Sequence, residues 1–159
     1  MATSRGALDG SRSGSGRPAS GQRRRLRLAG LPKPVARSRA FTGEALADWS
    51  WLRPEDGVDP DVVDDVVLLV AELVANAMMH GGGPLELVLD ATEARLRIEV
   101  SDGSSTLPEL RLPHRPGVPG GHGLFIVQRA ADRWGAALHE SGKAVWAEID
   151  SHRLVPVQG

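Results

Sequence analysis

The chain has 159 residues, 41% of them hydrophobic, a formal net charge of −1 and no cysteine. That length supports one core of ordinary size and argues against two independent ones, and the missing thiols exclude disulfides, thiolate metal sites and cysteine nucleophiles. Charge is spread unevenly: residues 1–40 hold ten Lys/Arg against Asp9 alone, a net of +9, so the remainder carries −10.

Residues 1–22 are rich in Gly, Ser and Arg and poor in apolar side chains, too few to offset the entropy of ordering, so a disordered basic tail is expected there. No aromatic is interleaved with these arginines to stack on bases, which speaks against a nucleic-acid partner. The N-terminus lacks the apolar centre of a secretory signal and charge interrupts every apolar stretch, so the reading is a cytoplasmic protein with no membrane partner. From Arg23, RRLRLAG alternates weakly and predicts a short edge strand. Val35 to Leu52 places Val35, Phe41, Ala45, Leu46, Trp49 and Leu52 on an amphipathic helix whose apolar stripe should face a sheet. Asp59-Pro60-Asp61 then offers an N-cap and a proline at the first helical position. A longer helix is predicted from there to about His80, where Gly81 to Gly83 and Pro84 stop it.

Two period-two strands follow: LELVLD (Leu85 to Asp90) and RLRIEVSD (Arg95 to Asp102), an antiparallel pair turning near Thr92. The stretch from Ser101 to Gly123 is too long and proline-rich for a tight connection. Helical spacing resumes from Gly123 to Trp134, and ALHESGKAVWAEID predicts a closing hairpin turning at Ser141-Gly142. Residues 151–159 read as a C-terminal tail, leaving 23–150 as the domain. This order predicts a two-layer α/β sandwich: a mixed, mostly antiparallel sheet with its helices on one face.

Within the longer helix, Glu72, Asn76 and His80 recur every four residues and therefore share a face. Asn76 is the only asparagine in the chain. Taken alone, the three make an ordinary exposed polar stripe. Two further features bear on them. Asp102-Gly103 ends a strand at the mouth of the long loop, and Gly120-Gly121-His122-Gly123 closes that loop at a helix N-terminus, where backbone N–H groups and the helix dipole suit phosphates.

In this order and spacing the motifs resemble the Bergerat ATP-binding fold of gyrase, histidine kinases, mismatch-repair ATPases and a heat-shock chaperone. ELVANAMMHG looks like the Asn-box, VSDGS like the Asp-Gly box, PGGHGLFIVQRAADRWG like the second Gly box and GKAVWAEI like the closing strand, so the resemblance covers roughly residues 24–150. It is nearest to the small anti-sigma-factor serine/threonine kinases and similar actinobacterial regulators. The resemblance implies that Asn76 coordinates Mg²⁺ through its carbonyl oxygen and that Glu72 is the general base for a partner's Ser hydroxyl. It implies that Asp102 accepts a hydrogen bond from the adenine amino group, with Gly103 letting the base approach. Gly121, His122, Gly123 and the Leu124 amide would line the phosphates, and Ser104 to Gly120 would form a lid. His80 matches the helix-end His, for which capping or packing is expected. The implied partners are ATP, a sigma factor, an anti-sigma-factor antagonist and a second copy of the chain, joined through the first strand and helix.

The chain departs from the family pattern at three places. His122 stands where Arg is common, Ala144 where a Thr usually stands beside the adenine, and the first box lacks a second Gly. Lost hydrogen bonds of this kind cost about 0.5–1.5 kcal/mol each. These departures leave open a non-catalytic, ATP-dependent protein-binding module, and the basic tail leaves open a nucleic-acid-associated role. A sensor histidine kinase is not expected, because a short stretch precedes the ATP-binding region.

Overall fold

The computed structural model describes residues 22–49, 60–80, 82–104, 127 and 130–150. Its elements are β1 (Gln22–Arg27), α1 (Pro34–Asp48), α2 (Pro60–His80), β2 (Pro84–Ala91), β3 (Arg95–Asp102), β4 (Arg133–His139) and β5 (Gly142–Asp150). The strands form one sheet in the order β1-β2-β3-β5-β4. Every neighbouring pair in it is antiparallel, so the parallel component allowed by a mixed sheet is not found among the described residues. Of the predicted tails, 1–22 and 151–159, residues 1–21 and 151–159 lie outside the described residues, and Gln22 is the first residue of β1.

Alternation along the strands separates two faces. Leu87, Leu89, Leu96, Ile98 and Ala147 are all 0% exposed and make the inner face. The register sets Leu87 opposite Val100 and Leu89 opposite Ile98, and Ile98 opposite Ala147 on the next strand, so one apolar layer continues across three strands. Helix α2 lays Val66, Leu69, Val70, Leu73, Val74 and Ala77 into the core with that layer. Those positions recur at three and four, as a buried helical stripe requires. Helix α1 packs along α2 and over β1 and β2, burying Ser38, Thr42, Ala45 and Leu46. Its last turn is tied to the sheet by Arg24 on β1. That guanidinium stacks 5.2 Å from the Trp49 ring centroid and pairs with Asp48 at 2.8 Å.

Several boundaries differ from the sequence reading. Helix α1 ends at Asp48 with Trp49 as its C-cap, and Leu52 lies outside the described residues. Arg133 and Trp134 belong to β4 rather than to the preceding helix. The Asp132 N–H donates to Glu148 O at 2.8 Å and draws the chain into the sheet, whereas helical hydrogen bonding is seen at Ala131 N to Val127 O, 2.9 Å. The last hairpin turns at Glu140-Ser141, because Gly142 is already paired with His139.

The outer face is covered by side chains of the sheet itself. On it the Trp146 indole lies against Gly135, where an added Cβ would meet Cζ2 at 2.7 Å, and the Arg97 guanidinium stacks 4.4 Å from the Trp146 centroid. Arg97 also donates to Glu148 at 2.9 Å, as does Arg133 at 2.9 Å, with Arg95 at 3.3 Å. Burial by itself would push the Glu148 carboxyl up. Hydrogen bonds from Arg133 and Arg97 and the charges of Arg95 and Arg97 outweigh it, and the net shift is downward from the ordinary value of 4.5.

Gly135→Val should destabilise the fold by about 1–3 kcal/mol, since the indole has to leave its place; denaturant unfolding that shows no change would contradict this packing. A carboxyl held below its unfolded value contributes stability above that value and loses it as pH falls through the folded one. The stability gap between the wild type and Glu148→Gln should therefore be full near neutrality and close below about pH 4.5, as followed by urea melts at a series of pH values.

Candidate functional site

The C-terminal end of α2, the start of β2, the end of β3 and the start of β5 meet at one end of the sheet. Gly82 and Gly83, at φ of 74° and 109°, turn the chain out of α2. The Gly83 N–H donates to Ala77 O at 3.1 Å, and Pro84 then pairs with Asp102 in the ladder. The turn of α2 that bears Asn76 therefore stands at the end of the sheet where β3 delivers Asp102. At 100° per residue, the buried stripe of α2 runs from Leu69 and Leu73 through Val70 and Val74 to Ala71. Glu72 and Asn76 sit together at the opposite margin, both half-buried. His80 is the last residue of α2.

Asp102 is 1% exposed on the inner face, two residues beyond the buried Val100. Its Oδ1 accepts the Ser104 N–H at 2.8 Å and the Lys143 Nζ at 3.0 Å. Lys143 is 4% exposed and stands directly across from Asp102 in the β3–β5 register. An exposed Gly103 follows, and among the described residues a Cβ placed there would find only Ser141 O, 4.0 Å away.

Gly142 brings the two strands this close. At φ 151° it holds a conformation that L side chains rarely adopt, and a Cβ on it would lie 2.0 Å from the Asp102 carbonyl oxygen and 2.8 Å from Gly103 Cα. Only a glycine lets β5 begin against the Asp102-Gly103 peptide.

A family model described as a histidine kinase-like ATPase domain matches residues 36–149. That span takes in α2, β2, β3 and β4 and nearly all of α1 and β5. The chain belongs to the histidine kinase-like ATPase family. No curated protein matches it. Family membership makes it an ATP-binding domain, and in this histidine kinase-like ATPase the buried Asp102 carboxylate ends β3, with the exposed Gly103 directly after it.

Of the residues singled out from sequence, the fold brings Glu72, Asn76, Asp102 and Gly103 to this end of the domain. Gly121, His122, Gly123 and Leu124, with residues 105–120 of the predicted lid, lie outside the described residues. Ala144, at the position where the family pattern has a Thr, pairs with Ser101, one residue out of phase with Asp102, and so faces the other side of the sheet. The side chain across from Asp102 is Lys143, which the sequence reading passed over, as it did the role of Gly142. Counting back by twos from Ile149 through Ala147 and Val145 would have put Lys143 on the inner face. A groove of about 480 Å³ lies between the β1–α1 connection, the start of α1, the end of α2 and the start of β2. The described residues that line it, among them Leu28, Leu31, Pro34 and Met78, carry no ionisable side chain. Among the described residues no helix is long and apolar enough to cross a membrane.

Gly142→Ala should lower stability by about 1–3 kcal/mol from backbone conformation alone, with the clash against Asp102 in addition. Unaltered thermal unfolding of that variant would show that the strands do not need the close approach.

Proposed function

We propose that this chain is an ATP-dependent serine/threonine protein kinase of the anti-sigma-factor type, whose protein substrate is an anti-sigma-factor antagonist and whose regulatory partner is a sigma factor. The observation that carries the reading is the nine-tenths-buried Asp102 carboxylate on the inner face, at the end of the sheet where α2 presents Asn76 and Glu72 side by side. A carboxylate there accepts a hydrogen bond from the 6-amino group of adenine, and a 6-oxo group in its place would meet repulsion. Among the described residues, Gly103 meets only Ser141 O near its missing Cβ, which favours close approach of the base.

The residues present fit Mg²⁺ and a triphosphate. Mg²⁺ keeps several waters and takes few protein ligands, so the Asn76 carbonyl oxygen suffices as the protein's contribution. When bound, Mg²⁺ supplies charge neutralisation to the phosphate oxygens. Gly121, Gly123 and the Leu124 amide, at a helix N-terminus in the sequence pattern, would hold the phosphates with His122 beside them. Glu72, one turn before Asn76, accepts the proton of the substrate's Ser or Thr hydroxyl as its oxygen forms a bond to the terminal phosphorus. The phosphoanhydride bond breaks and ADP departs. Glu72 and Asn76 must face one cavity for this to work, and their four-residue spacing, which puts them on one face of α2, supports it. The first strand and helix would make the interface of a homodimer.

Calorimetric titration with ATP and GTP, with and without Mg²⁺, tests the reading. ATP-selective, Mg²⁺-dependent binding is expected in the wild type and should be lost in Asp102→Asn and Asn76→Ala. Gly103→Ala should keep its stability yet bind ATP more weakly. Glu72→Gln should retain binding while phosphate release from ATP slows by about 10²–10⁴-fold. Absence of binding at millimolar ATP would sink the nucleotide site. Binding with no effect of Glu72→Gln on turnover would leave a non-catalytic ATP-dependent module.

A further inference from the structure

Lys143 is one of only two lysines in a chain with seventeen arginines, and it is buried at 4% exposure against a carboxylate buried at 1%. Desolvating such a pair generally costs as much as its attraction returns, and apolar side chains of similar volume serve stability as well or better. Packing alone therefore gives little reason for an ammonium at this position. Geometry gives a better one. Among the described residues both hydrogen bonds to the Asp102 carboxylate fall on Oδ1, from Ser104 N and Lys143 Nζ, and an ammonium carries three donors. Asp102 and Lys143 stand across from each other on neighbouring strands and on the same face. They thus set an acceptor next to a donor, beside the exposed Gly103.

We infer that Lys143 is a second base-reading residue, one that donates to N1 of adenine while Asp102 accepts from the 6-amino group. The inference rests on the nucleotide site described above and deepens it. Adenine presents a donor at N6 and an acceptor at N1, side by side on one edge, complementary to the Asp102–Lys143 pair. A 6-oxopurine in the same pose puts an acceptor against the carboxylate and an N–H against the ammonium, so both contacts turn repulsive. Lys143 thereby sets the identity of the base from the N1 side, which a carboxylate at N6 does not reach.

The test compares ATP, 1-deaza-ATP, which lacks the N1 acceptor but keeps the amino group, and inosine triphosphate, by calorimetry on the full chain. The wild type should bind 1-deaza-ATP at least tenfold more weakly than ATP and inosine triphosphate more weakly still. Lys143→Met should bind ATP and 1-deaza-ATP within twofold of each other. The wild-type comparison needs no variant, so the inference stays testable even where Lys143→Met leaves Asp102 unpaired and fails to fold. Equal affinity of the wild type for ATP and 1-deaza-ATP overturns the inference and leaves the nucleotide site standing. Discrimination that persists in a folded Lys143→Met also overturns it. No ATP binding at all overturns the nucleotide site and this inference together.

Discussion

Asp102 is a carboxylate with almost no access to water, and the arrangement at its end of the sheet follows from giving it polar partners there. An unpaired charge in an apolar interior neutralises or unfolds its surroundings. Here the Ser104 amide and the Lys143 ammonium supply the compensation. Each depends on backbone placement: Ser104 on the chain turning back on itself just beyond β3, Lys143 on β5 starting in register against the end of β3. That register needs the close approach made possible by Gly142. A surface ion pair would impose no such demands, and a buried one is weak evidence for stability. In a histidine kinase-like ATPase domain, the pair makes better sense as polarity held ready for a ligand than as a stabilising contact.

The antiparallel order β1-β2-β3-β5-β4 makes that site possible. Because β5 lies between β3 and β4, the chain that leaves the sheet at Asp102 re-enters it at Arg133 on the far side of β5. The connection starts at the carboxylate and returns through the helical turn at Val127 and Ala131, both buried in the core. At the same end of the sheet, the glycine pair after α2 sets the helix against the start of β2. Helix and sheet therefore reach the site together.

A sheet with helices on one face exposes its other face, and this chain covers it with its own charged and aromatic side chains. Trp146 fills the space left by Gly135, Arg97 stacks on the indole, and Glu148 collects three guanidiniums. Cross-strand pairs of this kind are the stabilising unit of a sheet. They also account for the arginine-rich strands without a nucleic-acid partner, since Arg23, Arg24, Arg25, Arg95, Arg97 and Arg133 each meet a carboxylate within the domain.

Much of this was determined by sequence alone. Period-two alternation in LELVLD and RLRIEV identified β2 and β3, because one buried face forces apolar residues onto every second position. The proline entry and glycine exit of α2 were legible to the residue, and the four-residue spacing of Glu72 and Asn76 placed them on one face before any coordinates. Asp102-Gly103 was recognisable by its place at a strand end. What the sequence could not supply was pairing between strands distant in the chain. Whether Lys143 or Ala144 stands across from Asp102 is a matter of one residue of register, and a one-residue shift exchanges the two faces. Arg133 and Trp134 carry the spacing of the preceding helix, and only the ladder to β5 makes them strand. Gly142 looked like a turn glycine, and its need for a missing Cβ arises from the Asp102 carbonyl forty residues away in the chain. Local periodicity records which face of an element is buried; the identity of the neighbour on that face is set by long-range packing, and the tertiary structure alone decides it.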